Sequence, residues 1–335
     1  MPIPVSFPSK ALTAVLAAVS LFIQPSRSKD DQGSSASVQS DRRRYVEFSL
    51  IEVVPSRSIP GKHFSRVRSA NDVLVVQHGV RSFTRYELNG SKRCAHVVPD
   101  SQAGITEFGV SSRGEVVAVD VKKRALYRFA RCGANATPVH IGSAFASVGV
   151  LPSGDLLLID STDATISVIN ARAGRQGVQA RMVTRVESMP REPMLRQGRF
   201  ATSEQQQAWV FAYSFWSRIE LDANGKQIYT IDSLSLPKIE RVESATGTLT
   251  RMASTAVAHR AVTYLNGVVY VLPGSRSDKQ KNGIIDLYST RTQGYRGSLR
   301  LKEPILDMSA DSRRVILLTP SGVYALELVA HPSGH

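Results

Sequence analysis

Two aspartates, Asp120 and Asp160, end short apolar runs and lie 40 residues apart in the sequence. Two carboxylates that meet in a fold can share acid-base chemistry or hold a divalent cation. Each of these aspartates, however, stands at the same point of a repeated phrase, where an aspartate side chain can cap the backbone of the next turn. The repeat therefore favours a turn-capping role over a catalytic pair.

Basic and polar side chains form the second group that could do chemistry. They lie in the links between the second and third strands of the repeated units. Such residues suit a carboxylate, phosphate or sulfate, because arginine in particular donates charge-assisted hydrogen bonds. Loops are polar in any protein, and the sequence favours that ordinary explanation over a dedicated anion site. The candidate ligand-binding residues in these links are His78, Arg81, Lys122, Lys123, Asp163, Arg276, Lys279 and Lys281.

An aromatic run offers a third possibility, which is stacking on a sugar or a base. Trp209, Phe211, Tyr213 and Phe215 alternate along one side of a predicted strand, and Trp216 lies on the other side. A strand buried between two sheets packs its rings in a core, and the sequence favours that role. Tyr213 and Trp216 are nearest the following loop and are the two rings that could reach a ligand.

Metal and cofactor motifs are not found in the sequence. The seven histidines show no HxH or HExxH spacing, and there is no GxSxG, phosphate-binding loop, GxGxxG or EF-hand pattern. We therefore predict no cofactor and no metal site. The cysteines, Cys94 and Cys132, show no CxxC and no Cys/His cluster that would indicate zinc or thiol redox chemistry. They either pair as a disulfide in an oxidising compartment or remain two small unpaired hydrophobic side chains.

The elements that position these residues follow from a phrase that occurs at least three times: a turn, an apolar run, a polar break, a second apolar stretch and a turn ending in glycine. The clearest copies begin at Ser112 and Pro152, and a fainter copy begins at Ala70. The closing glycines are 43 and 41 residues apart. A repeat of this length made of short strands is typical of a β-propeller blade.

The number of blades follows from the buried second strands, which are continuous apolar runs, and from the third strands, which alternate. Runs of the first kind occur at 73–76, 116–119, 156–159, 208–216 and 266–274, and the range 313–329, with a turn at 320–322, supplies the sixth blade. A further strand at 45–54 precedes the first blade, whereas the last blade runs out of chain. We predict an all-β fold, a six-bladed β-propeller with four antiparallel strands per blade, whose N-terminal strand closes the last blade; seven blades is the alternative.

The phrase G-x-[apolar]₄-D, followed by a break, a strand and a D/N-x-x-G turn, is similar to the blades of NHL-repeat and TolB-like six-bladed propellers, most clearly over residues 105–174. This resemblance implies a six-bladed ring and, in that group, mostly ligand or protein binding. A lactonase-like hydrolase on a propeller would hold a divalent cation at the central channel with side chains from different blades, which leaves no local motif. The candidate links carry more cations than carboxylates, which opposes Ca²⁺ binding.

The N-terminal segment has the layout of a secretory signal peptide, with Lys10, an apolar run at 11–23 and a small polar exit. An uncleaved anchor is the alternative, although the run is short for a membrane span. We expect an exported protein, periplasmic or extracellular, with no transmembrane span after signal removal. The predicted divisions are a signal peptide at 1–28, a disordered tether at 29–43, the β-propeller at 44–330 and a tail at 331–335.

The chain has a formal charge of +14, and removing Lys10 and Arg27 with the signal leaves 40 basic and 28 acidic residues, or +12. Such a surface attracts anionic partners, although it can also serve solubility alone. For an exported protein we expect an anionic lipid, polymer or polysaccharide rather than nucleic acid. We predict a monomeric binding or scaffold module that recognises a protein or an anionic ligand on the face bearing the loop at 275–282. The alternatives are a metal-dependent hydrolase with its site at the central channel and a purely structural propeller.

Overall fold

A computed structural model gives the fold of one unit of the chain, which begins at Arg43. The predicted signal peptide, the predicted tail and almost all of the predicted tether lie outside the described residues. In the described part, no helix has the length and apolar character needed to cross a membrane. The described residues are 43–55, 58–59, 64–130, 132, 136, 138–142, 145–160, 165–169, 180–185, 193–203, 208–222, 228–234, 241–243, 249–251, 257–274 and 283–328.

Four-stranded antiparallel sheets form the blades, and each is numbered in chain order. The first strand of the chain is β1 (Phe48–Pro55). Blade 1 contains β2 (Phe64–Ala70), β3 (Val73–His78), β4 (Ser82–Glu87) and β5 (Lys92–Val97). Blade 2 contains β6 (Glu107–Val110), β7 (Val116–Asp120), β8 (Ala125–Phe129) and β9 (Pro138–His140). Blade 3 contains β10 (Phe145–Val150), β11 (Leu156–Asp160), β12 (Thr165–Ile169) and β13 (Ala180–Arg185).

The second half of the chain repeats this arrangement. A short 3-10 helix at Pro193–Arg196 leads into blade 4. Blade 4 contains β14 (Gly198–Thr202), β15 (Trp209–Tyr213), β16 (Arg218–Asp222) and β17 (Ile228–Asp232). A two-stranded hairpin follows, formed by β18 (Arg241–Glu243) and β19 (Leu249–Arg251). Blade 5 contains β20 (His259–Leu265), β21 (Val268–Pro273), β22 (Gly283–Ser289) and β23 (Gly294–Leu301). The last three strands are β24 (Asp307–Ala310), β25 (Val315–Thr319) and β26 (Gly322–Leu328).

The N-terminal strand closes the ring. Blade 6 has the strand order β1-β26-β25-β24, so its outer strand comes from the opposite end of the chain. β1 pairs antiparallel with β26 from Phe48 opposite Leu328 to Pro55 opposite Gly322. The innermost strands also complete a ring, since β2 contacts both β6 and β24 and the other innermost strands contact one another in turn. The predicted six blades and their closure by the N-terminal strand are confirmed.

The second strand of each blade is buried because neighbouring blades cover both of its faces. All five residues of β7, β15 and β25 are buried. The side chains of blades 1 and 2 meet in one core, where the rings of Phe83 and Phe108 lie 5.0 Å apart. The continuous apolar runs in the sequence therefore mark strands between two blades, as strands buried on both faces require.

Glycines let the innermost strands of blades 2, 3 and 4 approach one another closely. A Cβ atom at Gly109 would collide with Val150 of the next blade. A Cβ atom at Gly149 would lie 2.5 Å from Cβ of Phe200, which belongs to the blade after that. The narrow centre of the ring therefore depends on the missing side chains at these positions.

Residues 43–46 form an N-terminal segment that runs along the outer strand of blade 5 before β1 joins blade 6. Tyr45 forms a parallel bridge with Ser298, whose backbone also bonds to Arg44 and Val46. Arg43 donates two hydrogen bonds to the carboxylate of Asp286, Nε to Oδ1 at 2.9 Å and Nη2 to Oδ2 at 3.0 Å. The first described residues thus tie blade 5 to blade 6.

Candidate functional site at the central channel

The six innermost strands line a central channel. Its cavity has a volume of about 60 Å³ and is bounded by residues of all six blades. Alternation of strand direction places the start of every innermost strand on the face that also bears the links between second and third strands. We call this face the link face. Residues at the start of the innermost strands consequently lie at the link-face end of the channel.

Charged side chains from four blades meet at this end of the channel. We call this group the channel mouth. All of its members except Arg68, which lies further along β2, sit at or near the starts of their strands. Salt bridges connect all of them. The channel-mouth residues are Arg66 and Arg68 of blade 1, Glu107 of blade 2, Arg199 of blade 4 and Asp307 of blade 6.

Glu107 lies at the centre of the channel mouth. Its Oε1 accepts a hydrogen bond of 2.6 Å from Nη2 of Arg68. Its Oε2 accepts from Nη1 of Arg66 at 3.2 Å and from Nη1 of Arg199 at 3.0 Å. Blade 4 stands three blades away from blade 1 in a ring of six, so Arg199 and the two arginines of blade 1 reach Glu107 from opposite sides of the channel. One buried carboxylate therefore joins arginines from opposite sides of the ring.

Arg68 is fully engaged by the protein. Its Nη1 donates to Oδ2 of Asp307 at 2.7 Å and to the carbonyl oxygen of Val67, and its Nε donates to the carbonyl oxygen of Phe108. With Nη2 bound to Glu107, each guanidinium nitrogen has a partner. This side chain holds the channel mouth together and has little left to offer a ligand.

The electrostatics of the channel mouth favour the charged forms of Glu107 and Arg68, whereas burial lowers the pKa of Arg66. Burial alone would raise the pKa of Glu107, but the charges of Arg68, Arg66 and Arg199 outweigh burial and lower it to about 2. Burial alone would lower the pKa of Arg68. The charges of Glu107 and Asp307 outweigh the effect of burial, so the pKa of Arg68 is raised. Three guanidinium groups and two carboxylates leave one positive charge in excess. The channel mouth is therefore basic at neutral pH.

Arg66 and Arg199 keep hydrogen-bond donors that the described residues do not use. Each donates through Nη1 alone, Arg66 to Glu107 and the carbonyl oxygen of Thr106, and Arg199 to Glu107. Their side chains are 19% and 32% exposed. Their Nε and Nη2 groups make no hydrogen bond to another described residue. Two arginines with free donors on opposite sides of a basic opening can bind an anion.

The residues predicted on the links of blades 1 and 2 have local partners around Asp100. Lys123 Nζ donates to Asp100 Oδ2 at 2.7 Å, and Arg81 Nη1 donates to the carbonyl oxygen of Asp100 at 3.2 Å. The hydrogen bond from Lys123 is the largest cause of the lowered pKa of Asp100. His78 Nε2 lies 2.7 Å from Oγ1 of Thr84, and Lys122 is exposed. The structure gives none of these four predicted residues a bond to the channel mouth.

Of the other predicted site residues, two lie within the part of the chain that the structure describes and four do not. Tyr213 is buried, with its ring 5.2 Å from that of Trp216, so its environment is that of a packed core residue. Burial raises the pKa of Tyr213. Trp216 is half-buried, and the guanidinium carbon of Arg218 lies 4.0 Å from the centre of its ring. Asp163, Arg276, Lys279, Lys281 and the whole loop at 275–282 lie outside the described residues.

The turn-capping interpretation of Asp120 agrees with the geometry. Its Oδ1 accepts a hydrogen bond of 2.9 Å from the backbone N–H of Lys123, and its Oδ2 accepts one of 2.8 Å from that of Gly104. Asp120 thus holds the link within blade 2 and the connection that enters this blade. Asp160 ends β11, but the turn that follows it lies outside the described residues.

Cys94 and Cys132 form a disulfide, with Cα atoms 5.6 Å apart. Cys94 lies on β5, the outer strand of blade 1, and Cys132 follows β8 of blade 2. The two alternatives left open by the sequence are thus resolved by the structure in favour of a covalent link between neighbouring blades.

Sequence reasoning missed the channel-mouth residues because it searched the links for charge. The signal that could have found them is a charged residue at or near the start of an innermost strand, as in FSRVRSA, EFGV, GRFAT and DMSA. An innermost strand lines a narrow channel, so a charge there needs a partner from another blade. These strands are far apart in the sequence, and no local spacing connects them.

The fold and the channel define a six-bladed β-propeller. The chain is similar in structure to a streptogramin B lyase, with a TM-score of 0.51 and 12% sequence identity over 84% of this chain and 98% of that one. It is also similar to virginiamycin B lyase from Staphylococcus aureus, with a TM-score of 0.50 and 13% identity over 84% of this chain and 100% of that one. No family model matches the sequence. No curated protein matches it either. At these identities the similarity concerns the fold alone.

Proposed function

We propose that this chain is a binding module that holds an anionic group at the channel mouth. The observation that carries the proposal is the pair Arg66 and Arg199, which converge on Glu107 from opposite blades and retain unused donors. The cavity of the channel, which Arg68 and Glu107 line, is small, so we expect the channel mouth to take a single carboxylate, sulfate or phosphate group rather than a whole large ligand. A larger anionic molecule or a protein would insert such a group and rest on the link face.

The channel mouth does not favour a metal-dependent hydrolase. Such an enzyme needs carboxylate or amide oxygens that are open to a cation. In the described part of the channel, Glu107 and Asp307 both accept hydrogen bonds from arginines. A divalent cation placed there would also meet the excess positive charge of Arg66, Arg68 and Arg199. The same charges support an anion as the ligand.

We also propose that the protein is exported and that it is related to NHL-repeat and TolB-like propellers. The apolar run at 11–23 and its flanks support a cleaved signal peptide and a periplasmic or extracellular location. The repeated phrase over 105–174 supports kinship with NHL-repeat and TolB-like propellers. N-terminal sequencing of the protein recovered from outside the cytoplasm tests export: we expect a mature chain that begins close to Lys29, and an intact Met1 on all material would contradict cleavage.

Anion binding is tested by calorimetric titration of the full chain with sulfate, phosphate and a short dicarboxylate. We expect binding that weakens as salt is added, because the arginines are partly exposed. Arg199→Gln should weaken binding roughly 10- to 100-fold, since a hydrogen bond between charged groups contributes about 1.5–3 kcal/mol.

The matched control for this titration is Arg291→Gln. Arg291 is exposed in the link between β22 and β23, on the opposite face, and the substitution removes the same charge. Affinity should be unchanged in this variant. Equal losses in both variants would mean that overall charge, not the channel mouth, binds the anion. Binding that is absent or insensitive to salt would refute the proposal.

A further inference from the structure

Three metal-ligating side chains meet where the rims of blades 1 and 2 touch. Cys94 and His96 are two residues apart on β5, so both side chains point to the same side of the strand. His96 Nε2 lies 3.6 Å from Cys94 Sγ, and Cys132 supplies the third ligand atom from blade 2. These three ligand atoms all lie within 4.8 Å of one another. In this structure the two cysteines are joined by the disulfide.

The imidazole of His96 lacks the hydrogen bonds that a buried histidine normally makes. The residue is 3% exposed, and its Nδ1 is buried without a hydrogen-bond partner among the described residues. The ring packs against Phe129 with its centre 5.0 Å away, and Nε2 points at sulfur. Nε2 of this buried imidazole is directed at a cysteine, and it has no other hydrogen-bond partner among the described residues. Nε2 is therefore the ring nitrogen placed to bind a cation together with the cysteines.

The separation of one sulfur from the imidazole fits a tetrahedral cation, and the two sulfurs, which are bonded to each other here, have to move apart after reduction. Bonds of about 2.3 Å to sulfur and about 2.0–2.1 Å to nitrogen place the two ligand atoms roughly 3.6 Å apart in a tetrahedron. The observed separation of Cys94 Sγ from His96 Nε2 is 3.6 Å. Two thiolates and one neutral imidazole also balance a divalent charge and suit a soft or borderline cation. Cys132 is exposed, which leaves the fourth position open to water.

We propose that Cys94, His96 and Cys132 form a binding site for a thiophilic divalent cation such as Zn²⁺ when the disulfide is reduced. A dithiol transfers two electrons and two protons to the disulfide, so that two cysteine thiols form and the dithiol becomes a cyclic disulfide. The cation then displaces the thiol protons and binds both sulfurs and Nε2. A small-molecule disulfide reverses the sequence: it accepts two electrons from the two thiolates and two protons from water, becomes two thiols, and the cation leaves as the covalent link between the blades forms again.

The sequence analysis predicted no metal site, and this proposal departs from that prediction because three ligand atoms lie close together. The feature of the sequence that could have indicated a cluster is the Cys-x-His pair at 94–96, which places two ligands on one side of a strand. The third ligand was hidden because Cys132 lies 38 residues from Cys94 and comes close only when the blades pack. Sequence spacing shows ligands that one element supplies, whereas this site needs two blades.

The proposal is tested by titrating the full chain with Co²⁺ after reduction with a phosphine and anaerobic removal of the reductant. We expect one Co²⁺ per reduced chain, with thiolate-to-cobalt charge-transfer absorption and the visible bands of a tetrahedral ion. The oxidised chain should show neither. Loss of a group outside the ligand shell typically weakens metal binding roughly 10- to 100-fold. Because His96→Gln removes a proposed ligand, it should weaken Co²⁺ binding by more than this.

The matched control is His140→Gln, which removes an exposed histidine from the same blade as Cys132. It should bind Co²⁺ as the unaltered chain does. Unchanged affinity in His96→Gln, or a spectrum without charge transfer, would overturn the site. Circular dichroism follows folding throughout. A reduced chain that unfolds and does not refold with Co²⁺ would also overturn it, because no folded protein would then contain the site.

Discussion

Glu107 shows how a single buried carboxylate can hold a ring of sheets together. Its partners come from blades 1 and 4, and Arg68 extends the network to Asp307 of blade 6. Three arginines would repel one another around the channel without this charge. The residue therefore stabilises the centre of the molecule and also sets the charge that an entering anion meets.

Replacing Glu107 by Gln should lower the free energy of unfolding near neutral pH by about 3 kcal/mol, because breaking a buried ion pair leaves charges without a counter-charge. Urea unfolding followed by tryptophan fluorescence measures the loss. The matched control is Glu327→Gln, which alters an exposed residue of β26 and should change stability little. A loss of equal size in both variants would contradict the role of Glu107.

The same residue predicts a pH dependence of stability. The pKa of Glu107 falls from 4.5 to about 2 on folding, so the folded protein binds this proton less readily than the unfolded chain. Its contribution is present above pH 4.5 and is lost as the pH falls towards 2, and it amounts to something on the order of 3 kcal/mol. Unfolding measured over this range should show the loss in the unaltered chain and a smaller loss in Glu107→Gln. Identical profiles would contradict it.

At the scale of single elements, the innermost strands are held at a close approach by glycine. Gly149→Ala should lower the free energy of unfolding by about 1–3 kcal/mol, because the new methyl group would overlap Phe200 in a packed core. Gly142→Ala is the control, since a Cβ atom there would meet nothing within 4 Å. Thermal unfolding of the two variants compares them. Equal midpoints would mean that the strands can move apart without cost.

The sequence predicts a structural element well when all the residues that identify it lie within one blade. The runs VVAVD and LLLID mark second strands because two neighbouring sheets bury them, and Asp120 follows from its place in the repeat. The channel mouth and the cluster at Cys94 could not be predicted in this way. Each needs side chains from more than one blade, and only the packing of whole blades brings them together.

At the scale of the whole molecule, the ring is held by the pairing of its two ends. The N-terminal segment adds to this pairing, because Arg43 and Asp286 form a bidentate ion pair in which the carboxylate is fully buried. The segment and β1 together connect blades 5 and 6. The stability of the ring should therefore respond to changes at its first described residue.

Arg43→Met should lower the free energy of unfolding by roughly 3–5 kcal/mol, because it leaves the charge of Asp286 buried and unpaired. Arg44→Met is the control: this neighbour bonds to blade 5 through its backbone, which the substitution preserves. Differential scanning calorimetry of both variants gives the comparison. Similar transition temperatures for the two would show that the segment does not contribute to closure.

The pairing of β1 with β26 also fixes when this molecule can finish folding. Phe48 leaves the ribosome 280 residues before its partner Leu328. At about 5–20 residues per second, the first strand waits roughly 14–56 seconds for the strand that it must join. During that time its edge, which includes Ile51, is open to other chains. β1, the strand that closes the ring, can therefore mispair with other chains until β26 has been synthesised.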